Sequence, residues 1–348
     1  MIDIYALDAN YDICAIISSN NVQWNRKYYE CGDFSIQIAA SDYSADMKYI
    51  YINGRKELGM IQKPLYTQDI NGDYIQLIGF FLENELNDKI VYPTFYAKGK
   101  TDVEIYRLIN TYKEDIPNLE VSDSMIPDAQ NIEFQETYGN LADVCYEKLE
   151  TQELSQRVVY DFVTKKKMYE IYRGKDRTQS QNENNFVVFS TEFGNVNSAT
   201  VEEDSSNYKN WALIGGSGEE PNRIFVELDL SNGGYKKKTF IDAKSESYDS
   251  KKQTLSEYKA ALKQYGIEKM LDYQVIQNVD FKSTESGYEY LIDYDLGDKC
   301  DVVIEPLQLA LEARIIAIYE VFKDNTHTIE LEFGNKRLSS YQKARLDR

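Results

Sequence analysis

Between residues 157 and 230 the chain switches repeatedly between short apolar runs of period two and polar or glycine-rich turns. That pattern favours antiparallel β-structure over any helical fold. In VVYDFVTKKKMYEIYRG, Val158, Tyr160 and Phe162 alternate toward one face. A polar turn at 164–167 follows, and Met168, Glu170 and Tyr172 resume the alternation. GKDRTQSQNENN is too polar to bury, and FVVFS is a short buried run. FGNVNSATVEEDSSNYKNWALIGGSGEEPNRIFVELDL then adds a turn, a strand, a glycine corner and a further strand. No catalytic residue set falls in this block.

The rest of the chain reads the same way. Tyrosine is abundant at 29 residues, and Tyr, Val, Ile and Phe suit half-buried pleated surfaces. Further strands are expected at 2–7, 13–18, 34–39, 50–52, 74–83, 223–230 and 238–242. A terminal hairpin is expected from ARIIAIYEVF and HTIELEF around the turn 323–326. Three segments have helical spacing instead. Thr101 and Glu104 form a capping-box signature ahead of a stripe of Val103, Tyr106 and Ile109. Leu141, Val144, Cys145 and Leu149 make a second stripe, and Leu255, Tyr258, Leu262 and Tyr265 a third that Gly266 should end. The fold class is mainly β with α+β insertions.

At 348 residues the chain has room for two to three domains. Mean hydropathy is negative and no stretch approaches 18 apolar residues, so no membrane span is expected. The start MIDIYALDAN lacks a basic and an apolar region, which argues against a secretory signal and for assembly in the cytoplasm. Cys14, Cys31, Cys145 and Cys300 are widely spaced and read as reduced structural side chains. A formal net charge of −19 disfavours specific nucleic-acid binding, which needs clustered Lys and Arg. Only the last residues reverse the sign, with Lys336, Arg337, Lys343, Arg345 and Arg348 in a solvated basic tail.

Reactive constellations are sparse. His327, the single histidine, is expected in an exposed hairpin turn; Ser339, Ser340 and Cys300 lack a nucleophile-elbow context. No CxxC or HxxxH spacing suggests zinc. Asp293, Asp295 and Asp298 are the carboxylates to weigh for glycan hydrolysis or calcium, although Gly297 falls out of step with a calcium loop. A solvated strand end explains them better. The corner Gly215-Gly216-Ser217-Gly218 follows a strand as a phosphate loop would. Glu219, Glu220 and Pro221 then replace the Lys-Ser/Thr pair, so a tight turn needing positive φ is expected. Arg223 could reach back to a carboxylate in that corner. No cofactor is expected.

Taken in order, Gly174, Lys175, Asp176, Arg177 and Thr178, then Val187, Val188, Phe189 and Ser190, then Gly194 and Asn195, Lys209 and Asn210, Gly215, Gly216, Gly218, Glu219 and Arg223 form a recognisable succession. It resembles the central baseplate-hub or tail-tip proteins of siphophage tails and prophage particles. The string Trp24, Arg26, Tyr28, Tyr29, Gly32, Phe34 and Ile36, the segment INGRKELGMIQK, and the run from Leu296-Gly297-Asp298 to Glu332-Phe333-Gly334 extend the resemblance.

The resemblance implies two β-barrel-like domains with smaller α/β domains. Approximate boundaries are 1–95 and 248–335 for barrel-like parts, 96–190 for an α/β insertion, 191–247 for returning strands, and 336–348 for the tail. It also implies a non-enzymatic homotrimeric ring at the virion tail tip. That ring would join the distal tail protein to fibre or receptor-binding proteins, enclose the tape-measure terminus and let DNA out. In such a ring acidic walls would let DNA slide. Threefold interfaces are heterologous and often anchored by aromatics, which makes Trp24, Tyr28 and Tyr29 interface candidates. Because the chain stops soon after the last expected strands, wall cutting or receptor reading is expected from a separate polypeptide. The alternative is a carbohydrate-binding or glycan-hydrolysing tail protein with tyrosine platforms.

Overall fold

A computed structural model describes residues 2–70, 72–219, 221–283, 287–324 and 326–334. Its backbone is organised by one long strand. Leu309–Lys323 pairs through its first residues with Lys299–Ile304, and through its last with both Asn21–Lys27 and Thr326–Gly334. From that strand one sheet spreads both ways. On one side it passes through Thr326–Gly334 and Ile276–Ser283 to an edge at Val196–Asp204. On the other it passes through Asn21–Lys27, Asp33–Ala39, Gly72–Phe81, Leu58–Asp69, Tyr49–Ile52 and Ile4–Leu7 to an edge at Ile13–Ile17.

The path does not return on itself, so the described strands form no closed barrel. The mainly β class is as expected, but neither half of the sheet is a closed barrel. The physical reason is that strand Leu309–Lys323 hands its partners from one half of the sheet to the other instead of closing either half. Strict alternation builds the first half. Val22, Trp24, Phe34, Ile36, Ile38, Ile75 and Leu77 all point inward.

The expected strands are present with ends moved by a few residues at most, among them Ile13–Ile17, Asp33–Ala39, Phe225–Asp229 and Lys238–Asp242. One face was misjudged. The register sets Val158 opposite Tyr169 and Tyr160 opposite Lys167. Lys167, Tyr169 and Ile171 therefore share the buried face, while Met168, Glu170 and Tyr172 lie on the other.

Two α/β units leave the main sheet. In the first, helices Thr101–Tyr112 and Leu141–Glu150 pack on Phe95–Lys100 with Asn131–Glu136, and on Ser155–Asp161 with Lys166–Tyr172 and Leu119–Val121. Thr101 does not cap: Lys100 is the N-cap residue, no side chain caps it, and the Thr101 hydroxyl donates to the Gln130 carbonyl. Val103 is exposed, whereas Tyr106 and Ile109 are buried as expected and are joined by Ile105 and Leu108.

In the second unit, helix Leu255–Met270 covers one face of the sheet Phe225–Asp229, Trp211–Gly215, Lys238–Asp242. Its capping box is Thr254 with Glu257, a pair sequence reading passed over. Gly266 does not end this helix. It lies inside it, where a Cβ would come within 2.7 Å of Ile214 Cδ1, so it permits close helix–sheet packing. No helix among the described residues is long and apolar enough to cross a membrane.

Candidate functional site

The segments that looked distinctive in sequence meet in one buried seam. Gly174 crosses the backbone of Gly297 so closely that a Cβ would collide with the Gly297 carbonyl and the Asp298 nitrogen. Just beyond the crossing, Asp298 gathers the GKDR run. Its Oδ1 accepts the Lys175 N–H at 2.7 Å, and its Oδ2 accepts Arg177 Nε at 2.5 Å and the Asp295 N–H at 3.1 Å. Asp176 ties the turn locally, accepting from the Thr178 N–H and hydroxyl at 2.9 and 2.7 Å. Backbone bonds from Lys299 to the Lys175 carbonyl and from Arg177 to the Lys299 carbonyl complete a short parallel bridge. Burial pushes the Asp298 carboxyl upward, and the Arg177 guanidinium and backbone donors oppose it.

Tyr28 plugs the same seam. Its ring lies against Gly297, whose φ of +89° excludes most other residues. Its hydroxyl donates to the Glu153 carbonyl at 3.0 Å, and its own carbonyl accepts from Ser155 Oγ. Arg314 donates to the Gly297 carbonyl at 2.5 Å and reaches over the Tyr28 ring.

A second ionic cluster lies next to it. Arg26, almost wholly buried, donates to Glu57 at 2.7 Å, to Asp295 at 2.5 Å and to the Tyr290 hydroxyl at 3.0 Å. Burial works against the Asp295 charge, yet Arg26 holds its carboxyl below the usual range. Arg55 donates to Glu320 at 2.8 Å.

Glu320 also meets His327 Nε2 at 2.9 Å, and the imidazole stacks on Phe322 with ring centroids 4.1 Å apart. His327 is thus half-buried in strand Thr326–Gly334, not an exposed turn residue, because cross-strand pairing sets it opposite Phe322. Two of the three candidate carboxylates, Asp295 and Asp298, are bound to arginines. Asp293 accepts the Glu289 N–H at 2.7 Å. Asp298 is buried and ion-paired, not part of a solvated strand end.

At the glycine corner only Gly218 has positive φ, +100°. Gly215 and Gly216 serve close approach instead, which corrects the expected role for both. A Cβ on Gly216 would come within 2.5 Å of the Tyr258 hydroxyl, and one on Gly215 within 2.8 Å of the Arg223 guanidinium. Arg223 does turn back, but chiefly onto carbonyls. It donates to Gly216 at 3.0 Å and Gly215 at 2.6 Å, and pairs with Asp242 on the neighbouring strand. The guanidinium lies between Phe225 and Phe240, 5.7 and 5.5 Å from their ring centroids.

The aromatic interface candidates are placed differently from expectation. Trp24 and Tyr28 are 0% exposed, Trp24 packing on Phe34 and Phe81, so the core and not a neighbouring subunit takes them. Tyr29 is partly buried against the same core as Tyr28. What does face solvent was not singled out in sequence: Ile13 and Ile16 on an open sheet edge, and Tyr92 stacked on Tyr138 at 5.8 Å. A separate cleft of about 290 Å³ is lined in part by Glu136, Asp143, Glu147 and Glu246. Cys14, Cys31, Cys145 and Cys300 are free thiols. No cluster of three or more His, Cys, Asp or Glu among the described residues is arranged to hold a metal ion. Ser339, Ser340, Glu220 and the basic tail lie outside the described residues.

The fold, a broad open sheet with two α/β units, is similar to those of several tail proteins. A tail protein from Neisseria meningitidis MC58 shares it with a TM-score of 0.60 at 11% identity, covering 96% of both chains. The 43 kDa tail protein of prophage MuSo2 from Shewanella oneidensis does so with a TM-score of 0.60 at 12% identity, covering 95% of this chain and 98% of that one. Prophage tail protein gp18 from Listeria monocytogenes EGD-e follows with a TM-score of 0.56 at 15% identity, covering 99% and 100%. The chain belongs to the family of Siphovirus ReqiPepy6 Gp37-like proteins, siphovirus tail proteins, whose profile matches residues 2–335. No curated protein sequence matches it.

Proposed function

We propose that this tail protein is the hub of the distal tail tip: a homotrimeric ring that joins the distal tail protein to fibre or receptor-binding proteins. In this reading it encloses the tape-measure terminus, lines the DNA exit channel, assembles in the host cytoplasm and catalyses nothing. The observation that carries the reading is the end-to-end likeness in fold to prophage tail proteins, with nearly all of each chain covered. Two features support it. The main sheet ends in open edges at Val196–Asp204 and Ile13–Ile17, and a head-to-tail ring joins unlike patches of that kind. The net charge of −19 suits a wall past which DNA slides. Light scattering on the purified protein tests it: a species near three times 40.4 kDa is expected. A strict monomer that also fails to join purified tails would overturn it.

A second reading, glycan binding, draws on the exposed, stacked Tyr92–Tyr138 pair. Host cell-wall sugars would then raise the melting temperature, and the Tyr92→Ala variant would abolish that shift.

A further inference from the structure

The interior holds a titratable group that assembly at the surface does not use. Glu83 opens the turn of 3-10 helix Leu82–Asp88, where the main sheet passes into the first α/β unit, and it is 5% exposed. Three polar atoms around it lack a hydrogen-bond partner: Glu83 Oε2, Glu57 Oε2 and the Tyr146 hydroxyl. Buried polar atoms of this kind are costly and call for an explanation. They come from separate elements. Glu57 precedes strand Leu58–Asp69, and Tyr146 belongs to helix Leu141–Glu150. The Val158 N–H, from strand Ser155–Asp161, reaches the Glu83 carboxyl, and the Cys31 thiol faces it from the turn after Asn21–Lys27.

The nearby cations are otherwise engaged. Arg26 is bonded to Glu57 and Asp295, and Lys27 to Glu30 and Asp33. Arg157 is bonded to Glu170, and Lys56 acts on Glu57 only at longer range. Tyr169 and Tyr172, from strand Lys166–Tyr172, face Tyr146 and bring no positive charge. Two carboxylates therefore share one buried region, and only Glu57 has a cation bonded to it. A single proton removes the repulsion between them and turns an orphaned acceptor into a donor.

We propose that Glu83 holds a resident proton that latches the first α/β unit to the main sheet, and that losing this proton as pH rises loosens the junction. Burial, then the neighbouring Glu57, pushes the Glu83 carboxyl up to about 7. A carboxyl raised on folding adds stability at low pH that is lost as pH rises through the folded value. The latch therefore closes below neutrality and slackens above it. This inference is independent of the hub reading.

Hydrogen exchange on the full chain at pH 6 and pH 8.5, corrected for intrinsic rates, tests it. The wild type is expected to lose protection in 82–88 and 141–161 at the higher pH. Glu83→Gln, a neutral isostere, should stay protected at both. Glu246→Gln, which alters another carboxyl pushed up to about 7, should behave as wild type there. Equal wild-type protection at the two pH values, or the same loss in Glu83→Gln, would overturn the latch. Should Glu83→Gln fail to fold, infrared difference spectra of Glu246→Gln decide. A protonated-carboxyl stretch present at pH 6 and gone by pH 8.5 supports the proposal, and its absence at pH 6 refutes it.

Discussion

Gly174 and Gly297 cross with their backbones touching, and neither position has room for a side chain. Around that crossing the chain has buried a charge, Asp298, and recruited Arg177 from 121 residues away to meet it. The junction between these two segments is thus built from glycine, carboxylate and guanidinium.

Gly174→Ala is expected to cost about 3 kcal/mol, because the added methyl collides with backbone that cannot rotate away. Gly54→Ala is the matched control. Its φ is +82° but its surroundings are empty, so about 1 kcal/mol is expected. Urea denaturation of both variants checks the order, and equal costs would mean that the crossing is slack.

Asp298→Asn should cost about 3–5 kcal/mol by leaving the Arg177 charge buried without its counter-ion. The double variant Arg177→Met with Asp298→Leu is expected to lose less than the sum of the two single changes. A double-mutant cycle measures that coupling. Simple additivity would show the pair to be independent.

Trp24→Ala removes a fully buried indole lodged between Phe34 and Phe81. A loss of about 3–5 kcal/mol is expected, seen as global unfolding at a lower temperature by calorimetry. A variant that kept its melting temperature but lost assembly would restore the interface role.

Glu246 gives a pH signature at the second α/β unit. Burial, with Glu136 and Glu268 nearby, pushes its carboxyl up to about 7 from an ordinary value of 4.5. The folded state holds the proton more tightly than the unfolded one. Its contribution is therefore complete below pH 4.5 and lost as pH rises through 7, by up to roughly 1.4 kcal/mol per unit. Glu246→Gln should flatten the fall in stability between pH 5 and pH 8 relative to wild type, measured by urea midpoints. An unchanged slope would assign that fall to other groups.

Much of the local structure was legible in sequence because it depends on neighbours within a few residues. Period-two alternation located the strands from Ile13–Ile17 to Lys238–Asp242 and the terminal hairpin, and helical spacing located the three α-helices found among the described residues. Errors arose where a local signal competed with distant packing. Thr101 with Glu104 spells a capping box, yet Thr101 is used by Gln130, while the real box at Thr254 and Glu257 went unread. Gly266 looks like a helix stop, but it is the contact point with Ile214.

The sequence by itself determined a mainly β chain, the placement of its strands and helices, and the family resemblance, since these follow from periodicity and from residue order. Only the tertiary structure decided that the sheet stays open, that Trp24 and Tyr28 are core, and that the GKDR run closes on Asp298. The orphaned oxygens around Glu83 are of the same kind. Burial and charge pairing join residues far apart along the chain, and a linear pattern carries no record of which carboxylate an arginine will find.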